Sequence, residues 1–194
     1  LDPRNETPKP GDPAFAAADF ILAAAPKDAL RAAADKAAEF GYEPVALGDA
    51  QEGEAREVAR DHADLALEMQ RGGRRIAILS GGELTVTIKG GGRGGPNQEY
   101  ALALALALGG APGIFALAGD TDGIDGGSGR ADDPAGAFIM PNTVARARVQ
   151  GQDAAIFLTK NDSTGFFERL DDLIISGPTF TNVNDLRVIL VEPA

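Results

Sequence analysis

The sequence of 194 residues contains no cysteine, so it can form neither a disulfide bond nor a thiolate metal site. This absence fits a reducing compartment, and we expect the protein to be cytoplasmic. No apolar run approaches the roughly 20 residues that cross a bilayer, so we expect no membrane partner. Positive charge is scarce, because 18 Lys and Arg residues face 29 Asp and Glu residues, for a net charge of −11. We therefore expect no nucleic-acid partner.

Histidine is almost absent too. The single histidine, His62, lies between Asp61 and Asp64 in a predicted helix, where we expect an ordinary solvated side chain. A 2-hydroxy-acid dehydrogenase would usually need a histidine as its acid and base. The sequence also lacks the lysine-serine/threonine ending of a Walker A loop and a serine in a nucleophile elbow, so neither a P-loop NTPase nor a serine hydrolase is supported.

The chain opens on a proline-rich segment. Four prolines lie within the first thirteen residues, which indicates an extended lead-in instead of the start of a helix or strand. The first residue is Leu1 and not methionine. We expect a fragment cut from a longer protein.

Amphipathic segments and short apolar runs alternate along the rest of the chain. We predict helices at Lys27–Phe40, Gly53–Arg71, Asn97–Leu108, Thr143–Arg148, Asp153–Leu158 and Thr164–Leu170. We predict strands at Phe20–Leu22, Tyr42–Leu47, Arg75–Leu79, Leu84–Lys89, Ile114–Ala118, Leu173–Ser176 and Leu186–Val191. The β-α-β-α-β order before residue 80 predicts an α/β fold with a layered, mostly parallel or mixed sheet flanked by helices.

The alternating Ala and Leu residues of Asn97–Leu108 have a period of two, which taken alone indicates a strand. Ala and Leu are strong helix formers, however, and Pro96 suits the first turn of a helix. We therefore predict a helix that is buried on most sides.

A glycine-rich segment, Gly90–Gly95, joins a predicted strand to this helix. The backbone N–H groups of such a loop, including those of Gly91, Gly92 and Gly94, can approach an anion, and the helix N-terminus adds partial positive charge. Arg93 could form bidentate hydrogen bonds with a phosphate or a carboxylate. The alternative is a mobile surface turn with an exposed arginine.

The same segment matches the dinucleotide-binding fingerprint, with glycines at 90, 92 and 95. A match in such a glycine-dense run carries little information. Asp120 also falls a little late for the ribose-binding acid, which should follow about 20 residues on. An NAD(P)H-dependent reductase stays as an alternative interpretation.

Three aspartates, Asp120, Asp122 and Asp125, follow the predicted strand Ile114–Ala118 at the carboxyl end, where α/β sheets place their ligands. Hard oxygen ligands at this spacing suit Mg²⁺, which takes one or two protein carboxylates together with substrate phosphates. One of the three could also act as a base toward a substrate hydroxyl. The alternative is an Asp-rich turn without a function.

Seven segments, taken in order, resemble one family. They are NETPKPGDP (5–13), AQEGEARE (50–57), SGGELTVT (80–87), GGRGGPNQE (91–99), DGIDG (122–126), NDS with GFF (161–163, 165–167) and SGPTFTNVNDL (176–186). The family is the glycerate 2-kinase/MOFRL group, whose members are often labelled hydroxypyruvate reductases. The resemblance covers nearly the whole chain, and the last segment is its most specific part.

The resemblance implies phosphoryl transfer from ATP, with Mg²⁺, to the 2-hydroxyl of D-glycerate. Family members are about twice as long, so residues 1–79 would be the C-terminal part of an N-terminal, Rossmann-like α/β domain. Residues 80–194 would be the MOFRL domain. The missing N-terminal domain would complete the cleft, including a lysine near the phosphates, and this half is expected to be inactive on its own. The sequence leaves a homo-oligomer open.

The resemblance also implies residue roles. Four residues would be catalytic: Arg93, Asp120, Asp122 and Asp185. Arg93 would hold a phosphate or the glycerate carboxylate, while Asp120 and Asp122 would bind the metal or orient the substrate hydroxyl. Substrate or phosphate binding would fall to Gly91, Gly92, Gly94, Asn97, Glu99 and Asn182.

Two positions depart from the family pattern. Pro96 stands where an arginine is expected, and Phe180 stands where a glycine is expected. Loss of the arginine would weaken anion binding, and phenylalanine in a polar turn could crowd the backbone. If these changes close the site, the chain would instead be a non-catalytic binding or regulatory module.

Overall fold

The computed structural model describes residues 6–19 and 21–193. Its centre is one sheet of six strands: β1 (Glu43–Ala46), β2 (Ile76–Ser80), β3 (Ile114–Asp120), β4 (Gly136–Ile139), β5 (Leu173–Ile174) and β6 (Asp185–Val191). The strand order is β1-β2-β6-β3-β4-β5. β1 and β2 run parallel, and the other neighbouring pairs are antiparallel. The expected α/β fold with a mixed sheet is confirmed, and parallel pairing is limited to β1 and β2.

Six α-helices occur in the described residues: α1 (Pro26–Glu39), α2 (Ala55–Gln70), α3 (Pro96–Leu108), α4 (Thr143–Val149), α5 (Ala154–Thr159) and α6 (Ser163–Glu168). All six predicted helices are confirmed to within two residues at each end. Pro26 and Pro96 occupy first turns, where a missing N–H does no harm. In the part of the chain that the structure describes, no helix is long and apolar enough to cross a membrane.

Two strand predictions need correction, and one strand is not predicted. The predicted strand Leu84–Lys89 is wrong, because only Thr85 forms a bridge, with Glu54. The Glu54 carboxylate accepts the Thr87 N–H at 3.1 Å, so a side chain replaces a strand partner. The predicted strand Phe20–Leu22 begins at a residue outside the described part, and its other two residues lie exposed outside any strand. β4 is the strand that is not predicted, since Gly136 and Ala137 are poor strand formers and leave only two residues with a strand preference.

The two faces of the sheet are covered differently. α2 and α3 pack on one face and form the main core with the inward side chains of β2, β3, β4 and β6. α3 is buried on almost all sides, as predicted, with Tyr100, Leu102 and Leu104 fully buried. α1 packs on the opposite face against β1, β2 and β6, around Leu30 and Leu79.

Polar residues gather at one end of the strands. The carboxyl ends of β1, β2 and β3 and the amino ends of β4 and β6 meet there, as the pairing directions require. α3 begins at the same place, because Asn97 contacts Asp185 at the start of β6. We call this region, which contains Ser80, Asn97, Asp120 and Asp185, the polar end of the sheet. The predicted domain boundary between residues 79 and 80 stays a prediction.

Candidate functional site

The glycine loop, residues 90–95, packs against the segment that joins α5 to α6. Its N–H groups donate to that segment: Gly90 to Asn161 Oδ1 at 2.9 Å, Gly92 to the Lys160 carbonyl at 3.0 Å and Arg93 to Asp162 Oδ1 at 3.1 Å. These donors are therefore already used within the protein. The anion-binding role of this loop stays a prediction.

Close packing accounts for four of the five loop glycines: Gly90, Gly92, Gly94 and Gly95. A Cβ at Gly92 would lie 2.3 Å from the Asp162 side chain, and one at Gly94 would lie 2.1 Å from Ser163 Oγ. A Cβ at Gly91 would meet no atom within 4 Å. Close packing therefore explains the other four glycines of this loop at least as well as an anion site does.

Arg93 points away from the loop backbone as an exposed side chain. Its guanidinium pairs with the Glu168 carboxylate at 2.7 Å, and both groups are more than half exposed. The two residues line a cavity of about 590 Å³ that extends to Asp125 and Arg130. Because a surface ion pair is weak, Arg93 can leave Glu168 for a stronger anionic partner.

The N-terminus of α3 is occupied by a carboxylate of the protein itself. The two oxygens of Asp125 accept the N–H groups of Asn97 at 2.9 Å and Gln98 at 2.8 Å. Asp125 is 3% exposed, and burial raises its pKa to about 6 against the opposing effect of these hydrogen bonds. The positive end of the helix therefore binds Asp125. One interpretation of the sequence places a ligand anion there.

A buried polar network continues from Asn97 into the sheet. The Asn97 amide donates to Asp185 Oδ1 at 2.7 Å, and Asp185 Oδ2 accepts from Arg187 Nη1 at 3.0 Å. Arg187 is 1% exposed and also donates to Ser80 Oγ at 3.2 Å and to two carbonyls, those of Gly81 at 2.6 Å and Gly82 at 3.0 Å. The network thus ties β2, β6 and α3 together at the polar end of the sheet.

Asp120 and Asp185 lie directly opposite each other on β3 and β6. Residues paired in this way have Cβ atoms about 5 Å apart. Burial, and then the negative charges of Asp122 and Asp185, raise the pKa of Asp120 to about 6. At neutral pH, Asp120 is therefore an unusually basic carboxylate.

Asp120, Asp122 and Asp185 form a group that we call the acidic group. Asn182 lies beside Asp122 on its more exposed side. The Asp120 Oδ1 accepts the Asp122 N–H at 3.0 Å, and the Asp122 Oδ1 accepts the Ile124 N–H at 2.9 Å. Asn182 makes a long 3.5 Å contact with Asp122 Oδ2. In residues 6–19 and 21–193, no three His, Cys, Asp or Glu side chains are arranged to hold a metal ion. A metal here would take at most two carboxylates from the described residues.

Glu99 lies apart from the acidic group. It is 2% exposed, and its Oε1 accepts from Arg56 Nε at 2.6 Å and from the Asn161 amide at 3.0 Å. Burial raises its pKa, while Arg56 opposes that change. In the structure, Glu99 joins α3 to α2 and to the α5–α6 segment, and its predicted role in substrate binding stays a prediction.

The expectation of a solvated His62 is wrong. The side chain is 6% exposed, and its Nδ1 lies 2.8 Å from the Tyr100 hydroxyl. Burial and the nearby charge of Arg187 lower the pKa of His62 to about 4. The helix pattern misleads here because charged neighbours on α2 do not reveal which face meets α3.

The two departures from the family pattern do not fill the polar end of the sheet. Pro96 takes the first turn of α3, where its ring fits the helix. Phe180 has a φ of 58°, the left-handed region that favours glycine, and its side chain is 98% exposed. Phenylalanine there costs backbone strain but does not crowd the neighbouring polar groups.

Arg187 is not among the residues predicted from the sequence, and Asp125 is predicted only as one of three aspartates that could bind Mg²⁺ or act as a base. Arg187 had a visible signal, because it takes an inward position of β6 in line with Ile189 and Val191. A charge on the inward face of an apolar strand indicates a buried partner. Asp125 stands out in the sequence only as one of three nearby aspartates, and nothing there indicates that it binds the α3 N-terminus.

Comparison with known proteins supplies the family. The MOFRL family model matches residues 76–185. A relative from Agrobacterium vitis named "Putative hydroxypyruvate reductase" is 49% identical over 193 residues, covering 96% of this chain and 42% of the relative. A D-glycerate 2-kinase from Thermotoga maritima is 36% identical over 159 residues, covering 80% of this chain and 37% of the relative.

A solved structure shows the same fold. The crystal structure of a glycerate kinase from Thermotoga maritima matches with a TM-score of 0.83 and 34% identity. The match covers 89% of this chain and 42% of that chain. The present chain thus spans less than half the length of the relatives it matches.

The buried network predicts a large stability effect at Arg187. Arg187→Ala should lower the free energy of unfolding by about 3–5 kcal/mol, because it leaves the Asp185 charge buried without its partner. Arg148→Ala on the exposed side of α4 is the matched control, with an expected change below about 0.5 kcal/mol. Urea denaturation measures both. Equal losses in the two variants would contradict the network's role.

The raised pKa of Asp120 predicts a pH-dependent effect of Asp120→Asn. Above pH 6 the native wild-type protein holds a half-buried charge that the unfolded chain solvates better, whereas below about pH 4 the group is protonated in both states. The variant should therefore be more stable than wild type at pH 7.5, by about 1 kcal/mol after allowing for solvent screening. This gain should shrink toward pH 4. Urea titrations at both pH values test it, and a gain independent of pH would refute the assignment.

Proposed function

The chain belongs to the MOFRL family, and we propose that it forms the C-terminal part of an ATP- and Mg²⁺-dependent glycerate 2-kinase. The product would be 2-phosphoglycerate. A D-glycerate 2-kinase matches most of this chain, and a glycerate kinase of known structure shares its fold. The observation that carries the proposal is the basic carboxylate of Asp120, held beside Asp122 and Asp185 at the polar end of the sheet.

Asp120 is suited to accept the proton of the substrate hydroxyl. A general base works best when its pKa lies near the working pH, and burial brings the pKa of Asp120 to about 6. The Asp122 N–H fixes the carboxylate through Oδ1, which leaves Oδ2 for the hydroxyl. As that oxygen attacks the γ-phosphorus, its proton passes to Asp120 and the bond to ADP breaks.

Asp122, with Asp120, offers hard oxygen ligands of the kind Mg²⁺ prefers. At most two such carboxylates from the described residues fit the site, which matches a metal bound mainly by substrate phosphates and water. When bound, Mg²⁺ would neutralise charge on the phosphates. Arg93, whose Glu168 partner is exposed, would bind a phosphate or the glycerate carboxylate.

The proposed cleft is incomplete in this chain. Phosphoryl transfer depends mainly on positioning and charge neutralisation, and the chain spans less than half of its glycerate kinase relatives. We expect the N-terminal domain of the longer protein to supply the remaining groups, including a lysine near the phosphates. The present half alone should be inactive.

A nicotinamide-dependent reductase is the second candidate, and it has less support. Asp125 occupies the α3 N-terminus that a dinucleotide pyrophosphate would use. His62 is buried, with a pKa lowered to about 4, so it is not a proton donor at neutral pH. Two relatives from Agrobacterium vitis are named for hydroxypyruvate reduction, so the activity test includes that reaction.

The proposal predicts kinase activity in the full-length protein. With ATP, Mg²⁺ and D-glycerate, a coupled assay should detect 2-phosphoglycerate and ADP, while NADH with hydroxypyruvate should show no oxidation. Asp120→Asn should lower kcat about 100-fold or more, because the hydroxyl loses its base. Arg93→Ala should raise the KM of one substrate about tenfold, since a charge-assisted hydrogen bond is lost.

Two controls accompany this assay. Asp64→Asn removes an exposed carboxylate on α2, and Arg148→Ala removes an exposed cation on α4. Both should leave kcat and KM unchanged. NADH oxidation without phosphorylation would overturn the kinase proposal, and an unaltered Asp120→Asn enzyme would overturn the role of that carboxylate.

A further inference from the structure

One part of the sheet carries an open apolar face. On the side opposite α2 and α3, three large side chains of β3 and β4 remain exposed: Phe115 at 38%, Phe138 at 40% and Met140, just after β4, at 41%. They line a groove of about 260 Å³ with Leu117, Val188 and Leu190. We call these six residues the open face. It contains no charged side chain.

The open face continues directly from the area that α1 covers. Val188 and Leu190 on β6 also line a second groove of about 440 Å³, beside α1. α1 packs over β1, β2 and β6 and stops there. Within residues 6–19 and 21–193, the layer that α1 begins is therefore not continued over β3 and β4.

We propose that polypeptide preceding residue 1 in the full-length protein covers the open face, as an apolar helical surface that packs beside α1. This inference rests on the proposed function, in which the chain is part of a longer kinase. Sheets in α/β folds bury both faces under helices, so the part of this sheet that α1 leaves uncovered is where a further helical layer would pack.

Two observations favour this occupant over a separate protein. More than half of the solved glycerate kinase chain lies outside the match, so enough polypeptide exists to cover the face. α1 is the first α-helix of the described residues and lies on the same side of the sheet. A helix beside α1 would therefore extend a layer that this chain already begins.

Photo-cross-linking in the full-length protein tests the proposal. Phe138→p-benzoylphenylalanine keeps an aromatic ring on the open face, and Val149→p-benzoylphenylalanine, at an 89% exposed site on α4, is the matched control. The first probe should form an intrachain cross-link that peptide mapping places before residue 1, and the control should not. A cross-link between two chains, a cross-link to residues 6–25, or none at all would overturn the proposal.

Thiol labelling gives an independent readout. In the native full-length protein, Met140→Cys should be alkylated at least roughly tenfold more slowly than Val149→Cys, because a covered thiol reacts only when its cover opens. The protection should not change on dilution. Protection by a second copy of the chain would be lost on dilution. Neither readout uses kinase activity. If the full-length protein is an active kinase but forms no such cross-link, only the proposal that the preceding polypeptide covers the open face is refuted. A cross-link in an inactive protein refutes only the proposed reaction.

Discussion

A single buried guanidinium, that of Arg187, holds the polar end of the sheet together. It is satisfied by the Asp185 carboxylate, the Ser80 hydroxyl and the carbonyls of Gly81 and Gly82. Its charge also lies 5.7 Å from the centre of the Tyr100 ring on α3. Because an unpaired buried charge is costly, these partners must stay in place. The ends of β2 and β6 and the buried side of α3 are thereby fixed relative to one another.

Arg187 and its partners hold the acidic group in place, and the positive charge of Arg187 opposes the negative charge of that group. Arg187 neutralises Asp185, while Asp120, opposite it, has no such partner among the described residues and keeps a raised pKa. A half-buried, unpaired carboxylate costs stability, and such costs concentrate where a protein needs reactivity. Asp125 also has a raised pKa, and it differs from Asp120 in its access. Asp125 is 3% exposed and accepts two backbone N–H groups, whereas the half-buried Asp120 accepts one. In our account, Asp125 is structural and Asp120 is available to a substrate.

Local patterns predicted the helices and most strands of this fold. Gly41 ends α1, and the strong helix formers of α3 outweigh its period of two. Long-range contacts were beyond such patterns. Asp125 reaches the α3 N-terminus across 28 residues, and Arg187 reaches Gly81 across 106. A glycine loop that accepts an anion and one that packs against Asp162 look alike in sequence, so only the fold separates them.

The most direct test is a crystal structure of the full-length protein with Mg²⁺, D-glycerate and a non-hydrolysable ATP analogue. Our account predicts the glycerate 2-hydroxyl within hydrogen-bond distance of the Asp120 carboxylate, with the metal bound to Asp120 or Asp122. Arg93 should have left Glu168 for a ligand anion. Glycerate and nucleotide bound away from these carboxylates, or Asp120 still shielded from every ligand, would contradict it.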